Sequence, residues 1–366
     1  GKGAAGYDKT KDWGRRSARG RRANGLGMPK PAAKISISSV RERMNSARQR
    51  ASRAYREAKS LMSSEMEGIV LKATRPDNLP VKAKHLETLM RPTNEMPKEF
   101  NVYLPVVRKL WAKMADTEWR VSMKALYIVH RFAASGSSEH AVNLKESVAV
   151  LRTHLDSRRK VNYFDIETIC EVKAPSWSSE DITPFKEFLR SYARFVLLRT
   201  TQFGPGFAEL LDTFKIFVGE GEVLTAVSEL LAAGTRCCVI TEEQESPITA
   251  AAVMLVAQDI RDVVEACAAQ LDYLAREWQA RSSYPVEVER WYAFLYEVQA
   301  PVEALMRRAD DLAVRHKLTP LRSLVALPLA LKLRDEEIAA ELQAALEAEQ
   351  LLQEEKEAAL EAEKRR

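Results

Sequence analysis

Glycine and proline are scarce, 14 and 15 residues in a chain of 366, and that scarcity argues against the turn-rich sandwiches and barrels of all-β proteins. Cysteine is scarcer still. Cys170, Cys237, Cys238 and Cys267 are too few and too irregularly spaced for a disulfide framework or a paired-cysteine zinc site, and a reducing compartment suits them best. No apolar run approaches the eighteen or so residues of a spanning helix; the longest, around Ala250 to Ala257, stops at Gln258 and Asp259. The expectation is a soluble or peripheral protein. The usual marks of catalysis are missing as well. Gly204, Gly206, Gly219 and Gly221 fit no phosphate-cradling loop, and the histidines, His85, His130, His140, His154 and His316, form no i, i+4 metal pair. No Ser or Cys lies in a nucleophile motif, so the chain reads as non-enzymatic, without cofactor or metal.

What is present favours helices. Ala, Leu, Glu, Arg and Lys abound, and an apolar fraction of 46% supplies a sizeable core. The net charge of +5 is modest, but its distribution is not even. Residues 1–34 hold ten Lys and Arg against Asp8 and Asp12, whereas 334–366 hold five against eleven Asp and Glu. The first segment, 1–35, reads as a basic extended arm, which would also suit the remnant of an organellar presequence. Gly1 makes a poor myristoylation site, because Ala5 stands where Ser or Thr is wanted. Nucleic-acid binding by the arm would rest on charge alone, without aromatics beyond Tyr7 and Trp13, and is disfavoured.

Periodicity organises the rest. Ile37, Val40, Met44, Ala47, Ala51, Ala54, Ala58 and Leu61 alternate steps of three and four, predicting a basic amphipathic helix over 36–62 whose alanine seam suits another helix better than a bilayer. Ser64 and Glu67 have capping-box spacing and would start a short helix toward Lys72. Pro76 and Pro80 break the chain, and a second short helix, Val81 to Met90, ends before Pro92. Pro105 opens a further helix. From Trp119 to Ala134 apolar residues lie all round, the mark of a central buried helix, on which His130 reads as a hydrogen-bonded core residue and Lys124 as structural, with a supporting role beneath a basic site possible for the latter. Later helices are marked by Phe185 to Val196, Thr249 to Leu274 and Val288 to Leu312, with a kink expected at Pro301. An exposed charged helix is expected over 331–366.

One stretch carries chemistry. In KATRPDNLPVKAKHLETL, Lys72 to Leu89, Lys72 ends one short helix while Lys82, Lys84 and His85 lie at the start of the next. Side by side, two such helices would bring three ammonium groups and an imidazole beside the free amides of a helix start, a setting for a phosphorylated headgroup. At about 1 kcal/mol per basic residue near an anionic surface, three lysines supply about 3 kcal/mol. A second contact is then needed for stable attachment.

Lys72, nine intervening residues, then Lys82, one residue, Lys84 and His85 resembles the phosphoinositide-binding motif of ANTH domains. EWRVSMKALYIVHRF, Glu118 to Phe132, resembles that family's buried central helix, and Ile182 to Arg199 and Arg290 to Leu312 resemble later ones. The likeness spans roughly 60–330. It implies an all-α, right-handed helical stack with long C-terminal helices, an ANTH-like domain over 63–330. It further implies phosphatidylinositol bisphosphate as ligand and clathrin-coat components as partners, in a trafficking adaptor peripheral at the cytoplasmic face of the plasma membrane or coated vesicles. The chain departs from the family in the seventy-one residues before Lys72 and in lacking Asn-Pro-Phe, Asp-Pro-Phe or acidic clathrin-box peptides. The alternative reading is therefore an ANTH-like fold recruited as a structural subunit of a large organellar (mitochondrial) complex, without lipid-dependent coat function. Helix-mediated protein partners would engage 36–62 and 334–366.

Overall fold

The computed structural model describes residues 64–95, 103–135, 137–174, 177–211, 221–238, 244–278 and 286–321, with isolated positions at 44, 241, 340, 343, 344 and 347. The arm at 1–35, the helix at 36–62 and the charged helix at 331–366 therefore lie, isolated positions apart, outside the described residues. The chain divides at Tyr55 and Arg56 into two units, and the helices below all belong to the second.

That unit is all-α, with no strand among the described residues. Helix α1 covers residues 64–73, followed by α2 (Ala83–Glu95), α3 (Tyr103–Met114), α4 (Trp119–Ser135), α5 (Ser138–Arg152) and the short α6 (Ile166–Ile169). Then come α7 (Ser179–Gln202), α8 (Glu222–Thr235) and the two long helices α9 (Pro247–Trp278) and α10 (Val286–His316). At the centre is α4, which packs on α2, α3, α5, α7 and α9. Its residues Val121 through Leu126 are buried without interruption, as an all-round apolar helix requires. The long pair α9 and α10 pack on each other and reach α7 through α8.

Local chemistry explains most boundaries. Pro105 sits in the first turn of α3, where no amide donor is required. Asp165 caps α6, its carboxylate accepting the amide of Thr168. Two readings of the sequence need correction. Residue 64 is already helical, so Ser64 is no N-cap; Glu67 instead pairs with Lys109 at 3.1 Å. Helix α2 does not end before Pro92 but runs through it to Glu95. Proline removes one intrahelical donor, and Leu86 and Leu89, both buried in the core, hold the preceding turns to the stack, so packing outweighs that loss.

Candidate functional site

The turn between α1 and α2 is built around one buried amine. Helix α1 closes where the amide and hydroxyl of Thr74 both donate to the carbonyl of Val70 at 2.9 Å. Residues 75–80 then cross over α4, which sends up Lys124, only 2% exposed. Lys124 Nζ donates to the carbonyl of Arg75 at 2.8 Å and to the carboxylate of Asp77 at 2.5 Å. The hydrogen bond from Lys124 holds the Asp77 carboxyl below its usual range, against a smaller opposing effect of burial. Asp77 also accepts the Leu79 amide at 3.1 Å. Arg120 Nε donates to the side-chain oxygen of Asn78.

Pinned in this way, the turn walls a pocket of about 230 Å³ lined by Lys72, Arg75, Lys82, Lys84, His85 and Lys124 among others. All four residues singled out from sequence line it, together with two more cations. Lys82 directly precedes α2, and its carbonyl accepts the first helical amides, those of His85 and Leu86. The amides ahead of them, on Ala83 and Lys84, have no intrahelical acceptor by helix geometry. Helix α2 carries no acid in its first turn and presents Lys84 and His85 there instead, the inverse of what the helix dipole favours. That local conflict would be relieved by a bound anion.

Electrostatics agree. His85 is held below the ordinary imidazole value, first by partial burial and then by the charges of Lys84, Lys82, Lys72 and Arg75. Lys72, Arg75, Lys82 and Lys84 have no ion-pair partner among the described residues, because the lining acid Asp77 is occupied by Lys124. A larger groove of about 640 Å³ lies along α3 and the segment before α6, with Arg108, Lys109, Lys113, Arg158 and Arg159 on its walls. There Lys109 pairs with Glu67, Lys113 with Asp116 and Arg159 with Asp156, which leaves it the more neutralised of the two.

Arg75, Asp77 and Leu79 were not singled out from sequence. Their parts in the site depend on Lys124, more than forty residues away along the chain. The pin itself is testable. Removing one member of a buried ion pair is costly when the other stays buried, but Asp77 is 49% exposed and can be rehydrated. Lys124→Met should therefore change global stability by about 1 kcal/mol or less while accelerating amide hydrogen exchange at Leu79, whose acceptor is no longer held. Protection at Leu79 equal to that of the parent chain would show that the pin does not order the turn.

Away from the pocket, His130 is wholly buried on α4, its Nδ1 3.3 Å from the Tyr192 hydroxyl and its Nε2 3.0 Å from Asp259. It is a core residue, not a surface ligand. Arg199 completes the cluster, donating Nε to Asp259 at 2.8 Å and Nη1 to the carbonyls of Phe203 and Gly204. Among the described residues no group of His, Cys, Asp and Glu is placed to hold a metal ion, and no helix is long and apolar enough to cross a membrane.

Residues 63–168 match the family model of the ENTH domain, and every pocket residue falls within that span. The match makes this segment similar to domains of the ENTH/ANTH superfamily, whose ENTH domains are non-catalytic modules of membrane-trafficking adaptors that typically bind phosphoinositides. Comparison with curated proteins finds no match.

Proposed function

We propose that the protein is a non-enzymatic, phosphoinositide-binding adaptor of the ANTH, clathrin-assembly type, working peripherally at the plasma membrane or on coated vesicles. Lys72, Lys82, Lys84 and His85 would hold the phosphates of phosphatidylinositol bisphosphate, with Arg75 as a fifth contact. The observation that carries this reading is the group of cations gathered around the start of α2 without an acid among the described residues left to neutralise them. Four exposed cations at about 1 kcal/mol each give about 4 kcal/mol, roughly three powers of ten in affinity. The basic segment 36–62 and the acidic segment 334–366 would serve protein partners, coat components among them.

The test is flotation of the purified chain with phosphatidylcholine vesicles, with and without phosphatidylinositol bisphosphate. Binding is expected only in its presence, and weaker as salt rises. It should also tighten from about pH 8 to about pH 6, because a phosphate beside His85 raises an imidazole pKa that partial burial and then its cationic neighbours depress, so binding takes up a proton. His85→Gln should flatten that slope. Absence of binding at every pH, together with recovery of the native protein in a large organellar complex, would replace the adaptor reading with the structural-subunit one.

A further inference from the structure

The turn over α4 is tied to that helix by hydrogen bonds, although its polar side chains stay exposed: Asp77 accepts from Lys124 and from the Leu79 amide, Asn78 from Arg120, and the Arg75 carbonyl from Lys124. Its large apolar side chain, Leu79, points out and is 57% exposed. Pro80 follows, fixing the backbone on that side. A single exposed leucine is ordinary on a protein surface, and Leu71, Leu155 and Leu211 are exposed here too. Leu79 differs in two respects. It lines the basic pocket beside Lys72, Arg75, Lys82 and Lys84, and the turn that presents it is fastened by two cations of α4, one of them buried at the desolvation cost such an amine carries.

We propose that Leu79 is a membrane-inserting side chain, entering the boundary between headgroups and acyl chains of an anionic bilayer while the surrounding cations hold lipid phosphate. The inference rests on the headgroup reading above. Cations engaged with lipid phosphates fix the headgroup layer at the mouth of the pocket, and an apolar side chain on its rim is carried to the layer's inner edge. Charge attracts the surface, and apolar burial adds to it. Leu79 thus supplies the second contact that the lysines alone lack, from a turn hydrogen-bonded to α4 through Asp77, Asn78 and the Arg75 carbonyl.

Two ligands separate the parts of the claim: soluble inositol trisphosphate, which offers phosphates without a bilayer, and phosphatidylcholine vesicles containing phosphatidylinositol bisphosphate. Leu79→Ser is expected to weaken vesicle binding about tenfold and to leave inositol trisphosphate binding unchanged, with Leu79→Ile restoring vesicle binding. A nitroxide on Leu79→Cys, compared with the parent chain treated identically, should become accessible to oxygen and shielded from a water-soluble nickel chelate when vesicles are added. Unchanged vesicle binding by Leu79→Ser, or equal losses toward both ligands, overturns insertion while leaving the headgroup site in place. If the parent chain binds neither ligand, the headgroup reading fails and insertion fails with it.

Discussion

Asp259→Ala is expected to destabilise the helical stack by about 3–5 kcal/mol, because it strands a buried guanidinium. Arg199 is 1% exposed and Asp259 5% exposed, so neither water nor another described acid can replace the lost carboxylate. Arg199 keeps its bonds to the carbonyls of Phe203 and Gly204 and its place 3.9 Å over the Phe207 ring, but those groups are neutral. At about 2–4 °C per kcal/mol for a domain of this class, the melting temperature should fall by about 6–20 °C. A companion variant separates charge from packing: Asp259→Leu with Arg199→Met removes both charges and should recover most of the loss, since an apolar substitute for a buried pair is often neutral. Chemical denaturation at neutral pH measures both, and a loss below about 1 kcal/mol for Asp259→Ala would show the network to be dispensable.

The same cluster sets the sign of the acid response. Burial alone would raise the Asp259 carboxyl, but the hydrogen bond from His130 and the charge of Arg199 reverse that and hold it below 3.8. Burial holds His130 below 6.5 more strongly than Asp259 can raise it. In both cases the unfolded chain binds protons that the folded chain refuses. Stability therefore declines as pH falls below 6.5, where the unfolded histidine charges, and again below 3.8, where the unfolded aspartate does.

His130 illustrates what a sequence discloses. Its burial is legible because apolar residues lie all round α4, Arg120, Lys124 and Arg131 notwithstanding; its partner is not, because Asp259 lies on α9 and appears in the sequence only as a residue ending an apolar run. The pocket divides in the same manner. Lys72, Lys82, Lys84 and His85 fall within one short stretch, where helix and turn geometry suffice to bring them together. Asp77 and Leu79 lie in that stretch too, yet reading one as an anchor and the other as a projection requires knowing that a lysine of α4 rises beneath them. Pro92 marks the converse limit, a strong local signal overruled by the core contacts of Leu86 and Leu89.

Lys82→Glu with Lys84→Glu is expected to change binding and stability in opposite directions. Each reversal removes about 1 kcal/mol of attraction to an anionic surface and adds a similar repulsion, so the pair should cost about 4 kcal/mol, or about three powers of ten in vesicle affinity. The fold should respond the other way. Acids in the first turn of a helix complement its dipole, by about 0.3–1 kcal/mol each, and α2 now carries none there. The exchange also relieves the crowding of like charge around His85, whose imidazole should titrate higher than in the parent chain. Loss of vesicle binding in a chain at least as resistant to denaturant as the parent cannot be ascribed to unfolding. Reversing Arg108 and Arg158 in the second groove changes the net charge equally, and a much smaller effect there would separate a located site from general attraction. Vesicle affinity unchanged by the Lys82 and Lys84 reversals would remove the pocket from consideration, because its unpaired cations are what set it apart from the more neutralised second groove.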